Sequence, residues 1–190
     1  MAAHGDEWAG ATRHPFLDAI RKGSLSDSAF RVWLQQDYHF LGDLLDFEAS
    51  LIARAPSTAR QTLEDGIEGV KAEIDWFKSV AAQRHLTLDT PRHTVTDAYR
   101  QHLASAAESW SSGMTTLWAG ERGYLEAWQS ARPARGRHAE FVVHWTAPEF
   151  VAYVRDLERL LGTDGDEDAF VATCRLEKAF WDMAWATAES

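Results

Sequence analysis

Four stretches of this chain set an acid or a phenol inside an apolar helical stripe. Over residues 27–55, Phe30, Leu34, Leu41, Leu44 and Leu51 recur at spacings of three, four and seven, and Asp37 and Glu48 fall within the same stripe. Such a stripe must face a core. A carboxylate there is costly unless it is paired or working. Near the C-terminus, Phe170, Val171, Cys174, Phe180, Trp181 and Ala184 form an apolar face. Glu177 shares it with Phe180 and Trp181, at i, i+3 and i+4. Val95, Tyr99, Leu103 and Ala106 share a third face, which turns the Tyr99 hydroxyl inward. Leu117, Glu121, Tyr124 and Trp128 share a fourth. Any one of these groups could be a satisfied core residue, since structural ion pairs occupy such positions too. Four helices that each supply an inward acid or phenol point instead to one shared polar pocket. Burial near aromatic rings would let its carboxylates trade protons near neutral pH, which suits general acid–base work on a flat ligand.

The elements that must position these residues are all helical. Helical periodicity recurs throughout, and no segment alternates apolar and polar residues in the manner of a hairpin. The spacing predicts helices over 27–55, 57–85, 94–111, 114–132, 138–146, 148–161 and 168–187. Ser26 or Asp27 caps the first of these, Pro56, Pro91, Pro133 and Pro148 separate neighbours, and the loop 162–168 breaks the chain before the last. Gly113 reads as a turn or kink. Short connections between long helices imply antiparallel neighbours in an all-α bundle of about eight helices, with one domain over residues 1–190.

Totals exclude several partners. The 190 residues carry a formal net charge of −10, which repels phosphate backbones and argues against nucleic acid. No apolar run is long enough to span a bilayer, so no membrane partner is expected. The opening MAAHGDEWAG has neither a basic nor an apolar signal region, and a cytoplasmic protein is the default expectation. The single cysteine, Cys174, rules out an internal disulfide. It lies on an apolar face and is expected to be buried and not nucleophilic. Nine tryptophans suit both a packed core and a pocket for a flat ligand. Phosphate-loop, CxxC, nucleophile-elbow and HExxH patterns are absent.

The motifs resemble those of the TenA (thiaminase II) family, in order and over nearly the whole chain. HPFLDAIRKGSL (14–25) and FRVWLQQDYHFL (30–41) resemble its opening, TDAYRQHL (96–103) its tyrosine helix, and GYLEAW (123–128) its Tyr-x-Glu segment. EFVVHWTAPEF (140–150) resembles its aromatic short helix, and RLEKAFWDMAW (175–185) its C-terminal signature. The resemblance implies a haem-oxygenase-like helical fold and a homo-oligomer (dimer or tetramer); with no cofactor motif in the chain, no cofactor is expected. It implies thiamin salvage: hydrolysis of aminopyrimidines from degraded thiamin, or cleavage of thiamin itself. Carried across residue by residue, Asp37 binds the pyrimidine amino group, Tyr99 and Tyr124 orient the ring, Glu177 shuttles protons and Phe180 walls the pocket.

Departures from the family pattern are equally specific. The family's nucleophilic cysteine corresponds to Gly120, four residues before Tyr124. A tyrosine near the family's aspartate is Phe40 here, and the short-helix tyrosine appears as Trp145. A thiolate route is therefore closed at position 120. Resemblance to members without the cysteine implies a carboxylate in its place, and Glu121 is the candidate. Two other readings stay open: a non-catalytic pyrimidine-binding or regulatory homologue, and a different small-molecule enzyme on the same scaffold. A di-iron site needs about six facing His and carboxylate ligands. Positions 174, 178 and 181 are Cys, Lys and Trp, so no metal is expected. His14 reads as a structural cap.

Overall fold

The computed structural model describes residues 4–187 and, among them, nine helices and no strand. They are α1 (Gly5–Thr12), α2 (Pro15–Lys22), α3 (Asp27–Ile52), α4 (Arg60–Gln83), α5 (Thr94–Ala106), α6 (Trp110–Ser130), α7 (Ala139–His144), α8 (Pro148–Leu161) and α9 (Glu167–Trp185). No described helix is long and apolar enough to cross a membrane. The two N-terminal helices are additions to the segments the periodicity delimited.

Helix ends follow local chemistry. The Ser26 side chain accepts from the Ala29 amide to start α3, and Asp166 accepts from Ala169 to start α9. His14 caps α2 by accepting from Phe16, with Pro15 at the first helical position, and Gly23 ends that helix at a φ of 72°. The expected break at Gly113 does not occur. Helix α5 stops at Ala106, Ser109 caps α6, and Gly113 lies inside the new helix. Its role is close approach: a Cβ there would stand 2.2 Å from Leu51 Cδ2. Helix α4 likewise starts three residues later than its predicted start, because residues 57–59 form a turn.

Helices α3, α5, α6 and α9 pack around a common interior, with α1 laid on α9 and α6, and with α4 and α8 flanking α3 and α6. Trp33 is fully buried, and the rings of Phe16, Phe30, Phe77, Trp128, Phe141 and Trp145 all lie within 6.2 Å of it. Five of the nine tryptophans are buried: 33, 118, 128, 145 and 181. This aromatic mass fixes the spacing of the central helices, because packed rings leave little room for rearrangement.

Gly42 and Gly113 both sit in helices but should respond oppositely to alanine. Nothing stands within 4 Å of a Cβ at Gly42, so Gly42→Ala should stabilise the chain by about 0.4–1 kcal/mol. Gly113→Ala should destabilise it, because Leu51 must move. Urea unfolding of the two variants checks the contrast.

Candidate functional site

All eight candidate site residues line one pocket at the centre of the bundle. Asp37 and Phe40 come from α3, Tyr99 from α5, Glu121 and Tyr124 from α6, Trp145 from the end of α7, and Glu177 and Phe180 from α9. The pocket holds roughly 650 Å³ free of atoms, counting its mouth. Four of its polar groups form two pairs. Tyr124 Oη donates to Asp37 Oδ2 at 2.8 Å, and Tyr99 Oη donates to Glu177 Oε1 at 2.5 Å. Each pair joins two helices far apart in sequence.

Aromatic rings enclose both pairs. The Tyr124 ring stacks on Trp181, 5.8 Å away and 11° from parallel, and meets Trp145 edge-on at 5.1 Å. Phe40 lies 4.7 Å from Tyr99 and 6.2 Å from Phe180. Trp181 Nε1 donates to the Ala11 carbonyl at 2.9 Å, which ties the site face of α9 to α1. Gly120 also lines the pocket. A Cβ at that position would stand 3.5 Å from Tyr99 Oη and 3.8 Å from Glu177 Oε1. Any side chain at residue 120 would therefore meet the Tyr99–Glu177 pair. Glycine leaves that approach open.

Charge in the pocket is one-sided. Asp37, Glu73, Glu121 and Glu177 line it, and no lysine or arginine does. Burial pushes the Glu177 carboxyl up to about 7, against the lowering effect of the Tyr99 hydrogen bond. Burial likewise holds the Asp37 carboxyl well above its usual range; Tyr124 offsets part of this, while Glu73 and Glu177 add to it. Glu121 is raised first by burial and then by Glu48, Glu73, Glu177 and Asp37. Both tyrosines are raised by burial and by the carboxylates they face, so they remain donors. These are the conditions for acids that hold a proton at neutral pH. Among the described residues, no group of three His, Cys, Asp or Glu is arranged to hold a metal ion.

The residue that sequence reasoning missed is Glu73 on α4. It accepts from Trp145 Nε1 at 2.5 Å and orients that ring. Val70, Glu73 and Phe77 stand at i, i+3 and i+7, a helical face that could have pointed to an inward acid. Glu48, noted in the stripe of α3, lies outside this pocket and is fully buried. Cys174 is buried, does not line the pocket, and has its thiol pushed up to about 12 by burial and by Glu177. It is a poor thiolate.

The raised Glu177 carboxyl has a consequence for stability. A buried acid binds its proton more tightly in the native chain than in the unfolded one. Its contribution is intact below the unfolded value near 4.5 and is lost as pH rises through about 7. Glu177→Gln should therefore match the wild-type stability near pH ~4.5 and exceed it near pH ~8, by on the order of 3 kcal/mol. Thermal melts at the two pH values check the sign.

Sequence and structure comparisons agree on one group of proteins. The chain is 28% identical to a soybean (Glycine max) relative named "probable bifunctional TENA-E protein", over 92% of this chain and 86% of the relative. A TenA homologue from Pyrococcus furiosus has a TM-score of 0.91 at 27% identity, covering 96% of both chains. A TenA homologue from P. horikoshii has a TM-score of 0.85 at 21% identity, covering 96% of this chain and 94% of the other. This chain has the helical haem-oxygenase-like fold of these structures. A family model matches residues 1–187 as well, and the chain belongs to the TENA/THI-4/PQQC family.

Proposed function

We propose that this protein is a thiamin-salvage hydrolase that replaces an amino group on a pyrimidine side arm with hydroxyl, without a cysteine nucleophile. The observation that carries the reading is the pair of tyrosine–carboxylate contacts facing one aromatic pocket, with an open approach at Gly120. A flat ring would lie between the wall formed by Phe40 and Phe180 and the stacked Tyr124–Trp181 pair. Asp37, oriented by Tyr124, holds the ring amino group. A carboxyl that keeps its proton presents a donor and an acceptor together, the complement of an amino group beside a ring nitrogen.

Glu177 supplies the proton. The side-arm carbon–nitrogen bond breaks as the amine takes the Glu177 proton and leaves. Water then forms the new carbon–oxygen bond and returns a proton to the Glu177 carboxylate, so the acid is regenerated. The products are the hydroxymethyl pyrimidine and ammonia. Glu121, one residue past Gly120, keeps its own proton through burial and the acids around it, and assists as a second carboxyl that orients the water by hydrogen bonding. Trp145 closes the wall, and Tyr99 keeps Glu177 aimed at the leaving group. The same proposal includes one TenA-like domain over residues 1–190, a homo-oligomer and a cytoplasmic setting.

Mass spectrometry of aminomethyl- and formylaminomethyl-pyrimidine after incubation with the protein tests the reading. Turnover is expected, with a rate that falls above pH about 7 as the Glu177 acid ionises. Glu177→Gln should lower kcat by about 10²–10⁴-fold. Asp37→Asn should act mainly on KM, because its contact is present in ground and transition states alike. Binding without turnover in the wild type would leave a non-catalytic pyrimidine binder.

Cys174→Ser separates this route from a displaced thiolate. Activity should stay within a few-fold of wild type. A loss of several orders of magnitude would move the nucleophile to α9.

A further inference from the structure

The helices that carry Tyr99, Glu177 and Gly120 meet a second time, one turn away, at a single imidazole. His102 on α5 lies three residues past Tyr99. Its Nε2 stands 2.9 Å from Thr173 Oγ1 on α9 and 3.3 Å from Thr116 Oγ1 on α6. Thr173 lies four residues before Glu177, and Thr116 four before Gly120. At spacings of three and four, each member of this trio shares a helix face with its site residue. Both threonines are buried, and Thr116 also lines the pocket.

The direction of these bonds follows from the network around them. The Thr173 hydroxyl donates its own hydrogen to the Ala169 carbonyl at 2.8 Å. Toward His102 it can only accept. Nε2 therefore carries the ring hydrogen, donates it to Thr173, and shares it over the longer distance with Thr116. In the neutral ring this is the Nε2–H tautomer, with the lone pair at Nδ1. Burial pushes the imidazole below its ordinary value and Asp166, at the start of α9, opposes that; the Tyr99 ring is 6.3 Å away.

Little else of polar character ties these helices together. Among the described residues, the other hydrogen bonds between α5 and α9 are the Tyr99–Glu177 contact itself and a 4.0 Å contact from Thr96 Oγ1 to the Met183 sulfur. Between α5 and α6, His102–Thr116 is the one hydrogen bond among those residues. Apolar packing holds helices together without direction. A hydrogen bond fixes where one stops against the next.

We propose that His102 is a positioning residue for the hydrolysis: its Nε2–H pins α5, α6 and α9 in register and so holds Tyr99 Oη against Glu177 beside the open face of Gly120. His102 does not line the pocket and acts through the Tyr99–Glu177 pair. Its effect on rate rests on the hydrolase reading; its effect on Glu177 does not. Tyr99 lowers the Glu177 carboxyl against burial. The other groups coupled to Glu177 are Asp37 on α3, Glu121 on α6 and Cys174 on α9, and none of them is basic. Loosening Tyr99 therefore leaves burial unopposed, and the Glu177 midpoint rises above about 7.

Two measurements on the full chain test this: kinetics with aminomethyl-pyrimidine, and carbon-13 titration of the Glu177 carboxyl, assigned by its loss in Glu177→Gln. His102→Leu should lower kcat about tenfold or more. KM should stay within about threefold, because Asp37 is untouched. The Glu177 midpoint should rise by about half a pH unit or more. His102→Gln keeps an amide donor near the Nε2 position and should restore most of both effects. Thr173→Val keeps the shape, removes the acceptor, and should repeat His102→Leu; the double variant should be no worse than either single one. Nitrogen-15 spectra of the wild type should show His102 as the Nε2–H tautomer. The Nδ1–H tautomer, a rate and midpoint unmoved in His102→Leu and Thr173→Val, or a His102→Gln as impaired as His102→Leu overturns the proposal. If His102→Leu does not fold, Thr173→Val decides; if neither folds, the tautomer does. A wild type without turnover overturns the hydrolase reading, and the midpoint shift then decides on His102 alone.

Discussion

Buried carboxyl groups without a basic partner are the constraint on which this molecule is organised. Asp37, Glu48 and Glu177 are each at most 6% exposed, and the nearest polar groups are tyrosine hydroxyls rather than guanidinium or ammonium groups. A buried arginine would hold such acids ionised. A hydroxyl stabilises either protonation state and leaves the proton free to move. Three phenols, Tyr99, Tyr124 and Tyr153, each face one of three acids across a helix–helix gap. Desolvation does the rest, since removing water from a carboxyl always favours its neutral form.

That arrangement depends on the aromatic packing around it. Trp33 and its ring neighbours set the separation of the central helices, and Trp181 anchors α9 through the Ala11 carbonyl. Glycines then decide where space remains. Gly113 lets Leu51 come close, Gly66 lets Tyr153 and Glu48 come close, and Gly120 opens the pocket beside Tyr99 and Glu177. The same residue type serves packing at two sites and access at a third. Only its surroundings tell these uses apart.

Much of this was legible before any coordinates. Helical period placed Asp37, Tyr99, Glu121, Tyr124 and Glu177 on inward faces, because a residue in an apolar stripe has only one place to go. Period also put Phe180 on the apolar face of the last helix, the motif resemblance added Phe40 and Trp145, and all eight share one cavity. Partnering was not legible. Nothing in the spacing couples Tyr99 to Glu177 rather than to Glu121, since that choice belongs to the tilt of α5 against α9. Glu73 escaped notice because its helix is mostly solvent-facing and carries many acids. The misreading at Gly113 has a similar origin: a glycine that ends one helix and a glycine that admits a neighbour look alike in sequence. Gly66 and Glu48 show the same limit, since their meeting crosses from α4 to α3.

Trp181 reaching back to Ala11 has a consequence for how the chain acquires its interior. The two acid–tyrosine pairs of the pocket close contacts of 87 and 78 residues in sequence, and the anchor to Ala11 closes one of 170. As the chain emerges during synthesis, α3 presents the Asp37 face long before α9 exists to cover it. The interior is therefore completed last and all together. Contacts this distant slow the search for the native state and leave apolar surface open while it lasts. Nascent chains of this protein must keep a half-built aromatic cavity from finding other molecules until the final helix arrives.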